Sequence, residues 1–291
     1  MNLRLLIFHT LMACLPWLAA PVGAEPLVIT YARDLPTSDG RLQYPLRMLG
    51  LAMQKSGVPY QIHPSERPLP QGAAVSRIMN GKGVNLMWSM TSLEREAQLH
   101  PIRIPLDKGL FGYRIALLRA QHKDMLAGVK QLEDLAPYTA GQGHDWPDVA
   151  ILQSNGLQVL TGNTREALFS MLEGGRFDYF PRSVLEISKE LEGGSHPQLV
   201  VDEHLLLYYP AAIYFFVRKG DTALARALES GLQKALADGS FDALFYEYFA
   251  DTIKHTRLKD RTLLKLNNPA LPPATPLADK RLWLNLKDAG K

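Results

Sequence analysis

The residues best suited to chemistry stand in two short stretches. In the first, Ser89, Thr91 and Ser92 lead up to Arg95. A guanidinium presents parallel N–H donors that match a carboxylate, and the pair is strong where water is excluded. The three hydroxyls would donate to the same ligand. Each has an ordinary alternative: Arg95 as a solvated helix-start residue paired with Glu94 or Glu96, and Ser92 as a helix cap. The second stretch is Gly141-Gln142-Gly143-His144-Asp145-Trp146-Pro147. It follows an expected strand and opens an expected helix, where backbone N–H groups favour an anion and glycines allow close approach. Here His144 adds a titratable group, and Trp146 adds either an aromatic wall or a core plug. Tyr31, Arg33 and Tyr44 near the start of the chain are further candidates, with Arg33 pairing with Asp34 and Tyr44 packing under a helix as the alternatives.

These residues need elements to hold them. Leu27 to Ala32 reads as a buried strand, Pro45 opens a helix that Gly57 closes, and Tyr60 to His63 reads as a second strand. Ala73 to Met79 is an expected helix and Val84 to Trp88 a third strand. Gly112 to Arg119 carries the chain onward as another strand. The same rhythm then repeats through Tyr138 to Ala140, a helix from about Pro147 to Gly156, Gln158 to Leu160, a helix from about Thr164 to Glu173, and Phe177 to Phe180. Such alternation implies an α/β fold with mostly parallel sheets and a ligand crevice beyond the carboxyl ends of the strands. A strong helix follows, capped by Asp221 with Leu224, Leu228, Leu232 and Leu236 on one stripe, and then a short one holding Phe241, Leu244, Phe245 and Tyr248. The proline-rich tail is expected to be an extended strap anchored by Trp283.

Composition removes several function classes. The chain has 291 residues and a formal charge of +3, with no lysine and arginine run interleaved with aromatics, so nucleic acid is not an expected partner. Arg4, the apolar stretch Leu5 to Leu18, and the small residues Val22 and Ala24 form an expected cleavable export signal over residues 1–24. The only cysteine, Cys14, lies inside it, in a weak lipoprotein-like context. A chain cleaved after Ala24 has no thiol for disulfides, metals or nucleophilic catalysis. The eight histidines are scattered, and neither a Gly-x-Ser-x-Gly elbow nor a phosphate loop is present, so no cofactor or metal is expected.

Three stretches carry a resemblance. They are Met87-Trp88-Ser89-Met90-Thr91-Ser92-Leu93-Glu94-Arg95, Leu172-Glu173-Gly174-Gly175-Arg176-Phe177-Asp178-Tyr179-Phe180, and the run from Arg218-Lys219-Gly220-Asp221 to Asp238-Gly239-Ser240-Phe241. In order and spacing they resemble the type 2 periplasmic solute-binding proteins, in the branch related to polar amino acid binding. The resemblance implies a two-lobed fold joined by two hinge strands. Residues 25–112 and 209–291 would form lobe one, and residues 113–208 lobe two. It further implies a monomer that closes on a small solute in the periplasm and presents it to an importer of the ABC type or to a sensor. Arg95 would hold the ligand carboxylate, and the loop with Gly143, His144 and Trp146 would close on it. Many relatives place an acidic residue just after the position of Phe180 to neutralise a ligand ammonium, whereas this chain reads Pro181-Arg182-Ser183-Val184. That departure points to an anionic solute held between Arg95 and Arg182, because an unpaired ammonium in a closed cleft is costly. The alternatives are an enzyme of the dehydratase type, which would need a buried acid such as Asp145, Asp148, Glu173 or Asp178 opposite the ligand, and a signalling scaffold with little or no ligand.

Overall fold

The computed structural model describes residues 25–33, 36–38, 40–191 and 194–285. The expected signal segment, Cys14 within it, and Asp34 lie outside the described residues. Among the described residues, no helix is long and apolar enough to cross a membrane.

The first sheet contains β1 (Leu27–Tyr31), β2 (Tyr60–Pro64), β3 (Leu86–Met90), β4 (His100–Ile102) and β11 (Ile213–Val217), in the order β2-β1-β3-β11-β4. β1 pairs parallel with β2 and β3, whereas β11 inserts antiparallel between β3 and β4. The second sheet is built around β5 (Tyr113–Arg119), which pairs antiparallel with β8 (Phe180–Ser183), β9 (Leu199–Val201) and β10 (Leu205–Tyr208). A separate parallel pair joins β6 (Thr139–Gly143) to β7 (Gln158–Gly162). The sheets are thus mixed where strand and helix alternation alone implies mostly parallel ones. The reason is that β11 comes back from the second sheet and enters the first running the opposite way.

The expected helices form with the expected stops. The helix α1 (Gln43–Ser56) ends on Gly57, whose left-handed φ of 79° a residue with a side chain adopts only at a cost. Short helices α2 (Gln71–Met79), α3 (Leu93–Gln98), α4 (Asp148–Ser154), α5 (Arg165–Glu173) and α6 (Ile187–Glu190) flank the strands. Thr164 caps α5 by accepting from the Ala167 N–H. Asp221 caps α7 (Thr222–Ala237) by accepting from the Leu224 N–H. The last helix, α8 (Ser240–His255), is longer than its apolar residues alone suggest. The strand expected at Phe177 to Phe180 lies three residues later, since the polar pair Arg182 and Ser183 is buried inside β8 and breaks the apolar pattern.

The chain passes from the first sheet to the second between β4 and β5, and returns between β10 and β11. At the crossing Gly112 lies against Tyr209, and a Cβ on Gly112 would stand 2.3 Å from the Tyr209 carbonyl oxygen. A third crossing is not apparent in the sequence. β12 (Thr262–Lys265) pairs parallel with β10, so a segment after α8 lends a strand to the second sheet. The tail then comes back: Leu93 donates to the Ala270 carbonyl, and Leu284 donates to the Lys108 carbonyl. The half-buried Trp283 packs against the core, and its indole N–H donates to the Pro276 carbonyl.

The helices α1 and α7 touch backbone to backbone, because a Cβ on Gly231 would lie 1.8 Å from the Ala52 carbonyl oxygen. Replacement Gly231→Ala is therefore expected to cost about 1–3 kcal/mol, the usual penalty of overpacking. Urea unfolding measures this, and an unchanged midpoint would mean that these helices do not approach so closely.

Candidate functional site

A cleft of about 520 Å³ opens between the two sheets. Ala32, Arg33, Met87, Trp88 and Ser89 line it from the carboxyl ends of β1 and β3, where the crevice rule puts it. The opposite wall comes from β5, β8 and the start of α4, through Arg114, Arg182, Trp146, Pro147 and Asp148. The turn before α1 and the side of α8 close one flank.

The floor on the second sheet is a buried ionic network. Arg182 is 3% exposed, and its Nε and Nη2 reach the two carboxylate oxygens of Glu190 at 2.8 and 2.6 Å. The same Nη2 stands 3.0 Å from Glu186. Burial works against the Arg182 charge, but Glu186 and Glu190 outweigh it and hold the guanidinium above the ordinary arginine pKa. Arg114, 2% exposed, lies 3.0 Å from Asp148 and 3.7 Å from Glu186. The Asp148 contact is ionic rather than a directed hydrogen bond, and among the described residues the Arg114 Nε and Nη2 have no well-aligned acceptor, although the Tyr209 side chain lies against the guanidinium. The Arg114 guanidinium also sits over the Phe111 ring at 4.1 Å, and Tyr209 donates its hydroxyl to Asp148.

The expected residues fall into separate groups. Ser89, Trp146, Arg182 and Arg33 line the cleft. Arg33 turns its Nε and Nη2 to the Ser65 and Glu66 carbonyls. Tyr44 lines the cleft as well and donates its hydroxyl to the Leu106 carbonyl. Arg95 is not among the lining residues: its Nη1 donates to the Met90 carbonyl and its Nη2 to Gln71 at 3.0 Å, while burial lowers its pKa. Ser89 donates to the same Gln71 oxygen. Thr91 donates to Glu96, and Ser92 caps α3 by accepting from the Arg95 N–H, its ordinary alternative. The loop amides are also engaged, since His144 donates to the Gly162 carbonyl and Trp146 to that of Gly143. His144 is exposed. Gly143 has no room for a side chain, because a Cβ there would stand 2.5 Å from the Trp146 ring. Tyr31 is buried behind Trp88, its ring centroid 5.5 Å away.

Sequence reasoning passed over Gln71, Trp88, Asp107, Arg114, Glu186 and Glu190 as site residues, and named Asp148 only among the acids that a dehydratase-type enzyme would need buried. A signal existed for Arg114, a lone charge in the apolar strand Tyr113–Arg119. Asp107 is 3% exposed and accepts from the Gly109 and Phe111 N–H groups. Burial pushes its carboxyl up to about 6, against the pull of those donors and of Arg114. Among the described residues, no group of three His, Cys, Asp or Glu is placed to hold a metal ion.

No family model and no curated protein sequence matches this chain. Solved structures do match in fold. An arginine-specific periplasmic binding protein of Salmonella typhimurium is 15% identical with a TM-score of 0.55, covering 78% of this chain and 100% of that one. A histidine kinase sensor domain with similarity to periplasmic binding proteins is 16% identical with a TM-score of 0.54, covering 77% of this chain and 95% of that one. An ancestral amino acid-binding protein, a precursor of cyclohexadienyl dehydratase, gives the same four values. The chain therefore has the two-lobed α/β fold of the type 2 periplasmic binding proteins, as the three sequence stretches implied.

Two measurements check the charges on the cleft floor. Replacement Arg182→Met strands Glu190 in the interior and is expected to cost about 3–5 kcal/mol in urea unfolding. A loss no larger than that of an exposed pair, about 1 kcal/mol, would contradict the burial described. Asp107 has a folded pKa near 6 and an unfolded pKa near 4. Its folded form binds more protons in that window, so its contribution to stability is full below about pH 4 and is lost as pH rises through about 6. Unfolding midpoints of the wild type and Asp107→Asn, compared from pH 4 to 7.5, should diverge in that direction, and parallel profiles would refute it.

Proposed function

We propose that this chain is an exported solute-binding protein whose cleft takes a small carboxylate-bearing solute on behalf of an ABC-type importer or a sensor. The observation that carries the reading is the charge of the cleft lining. Among the described residues, five arginines, Arg33, Arg41, Arg114, Arg165 and Arg182, face four acids, Asp107, Asp148, Glu166 and Glu186. Arg182 has its fork filled by Glu190, and Arg95 is tied to Met90 and Gln71 through its two Nη atoms, its Nε having no directed partner among the described residues. The reading therefore gives the central role to Arg114, a lining arginine whose Nε and Nη2 make no directed hydrogen bond among the described residues and which a ligand carboxylate would meet beside its ionic partner Asp148. Similar folds bound to arginine or glutamine also hold ligands with a carboxylate. Their predominance as binding proteins favours capture over catalysis.

In this reading residues 25–112 and 209–291 form one lobe and residues 113–208 the other, with β12 lent to the second sheet. Closure on the solute excludes water and strengthens the arginine contacts.

A thermal-shift and calorimetry panel tests this with the full chain. Succinate and other small carboxylates should raise Tm, and Arg114→Lys, which keeps charge but loses the fork, should weaken their binding by about 10- to 100-fold. Stabilisation by uncharged solutes alone would overturn the reading.

A further inference from the structure

Among the described residues, six aromatic side chains line the cleft: Tyr44, Trp88, Phe111, Trp146, Tyr248 and Phe249. Two of them, one on each lobe, are braced from behind. Trp88 is the one partly exposed residue of β3, whose other members are buried. Tyr31 supports its ring at 5.5 Å, and Phe215 meets it edge-on at 6.5 Å. Across the cleft, Trp146 stacks on Phe180 at 6.3 Å with an interplanar angle of 13°. The Arg182 guanidinium lies 4.9 Å from the Trp146 ring centre, and the bare backbone of Gly143 leaves room for the indole. Both indoles are thus held in place before any ligand arrives, so closing on them costs little side-chain ordering.

The polar groups beside them are mostly engaged. Ser89 bonds Gln71, Thr91 bonds Glu96, and Tyr44 bonds the Leu106 carbonyl. A flat apolar ring would find two indoles in the lining, and a carboxylate beside it would find Arg114 there as well. Burying such a ring between the lobes also removes indole surface from water, which favours the closed form.

We propose that the solute is an aromatic carboxylate, its ring seated against Trp88 and Trp146 and its carboxylate toward Arg114. The proposal rests on the carboxylate reading given above and adds the ring.

Calorimetry on the full chain with phenylacetate, succinate and benzyl alcohol separates the two parts. The expected result is phenylacetate binding at least about tenfold tighter than succinate, with quenching of tryptophan fluorescence. Trp88→Ala should abolish that preference, whereas Trp88→Phe should keep most of it, and circular dichroism confirms that both variants fold. Succinate binding as tightly as phenylacetate would overturn the ring and leave the carboxylate reading standing. Benzyl alcohol binding as tightly as phenylacetate would overturn the carboxylate reading and this proposal with it. Failure of all three probes to bind would also overturn the proposal.

Discussion

Two guanidiniums buried between the sheets constrain everything around them. A charge taken out of water is tolerated only when opposite charges or hydrogen-bond acceptors meet it. Arg182 meets Glu190 through both carboxylate oxygens and Glu186 through one, while Arg114 meets Asp148 and Glu186. These partners come from α4, from the turn after β8 and from α6, so the pairing fixes how those elements sit on the second sheet. The same pairing sets the floor of the cleft. It leaves Arg114 Nε and Nη2 without a directed hydrogen bond among the described residues, and it lays Arg182 over the Trp146 ring.

The connectivity supports that floor. The segments that cross between the sheets lie side by side at Gly112 and Tyr209, where a side chain on the glycine would collide with backbone. β12 and the tail add a third link, with Asn267 bonded to Asn155 beside the second sheet and Leu284 bonded to Lys108 beside the first. Asp107 sits in the first crossing, where its buried carboxyl accepts from the Gly109 and Phe111 amides.

The same contacts hold Arg95 beside the cleft residues Ser89 and Gln71. Gln71 at the start of α2 offers one side-chain oxygen, and both Ser89 and Arg95 donate to it. With the Met90 carbonyl as a second acceptor, the guanidinium serves to fix α3 against β3. A motif with the right residue types at the right spacing can thus be satisfied by neighbours that the motif does not include.

Local order was legible in the sequence: α1 with its Gly57 stop, α5 with its Thr164 cap, α7 with its Asp221 cap, and strands beginning at Leu27, Tyr60 and Tyr113. Those features depend on capping chemistry and on apolar periodicity, which act over a few residues. The two-lobed fold was also legible, through the order of three separated stretches. Strand direction in the second sheet, the role of β12, and the pairing of Arg114 and Arg182 with Asp148, Glu186 and Glu190 came from tertiary structure alone. Each depends on which distant backbone or charge lies within a few ångströms. Side-chain type and short-range spacing carry no record of that distance.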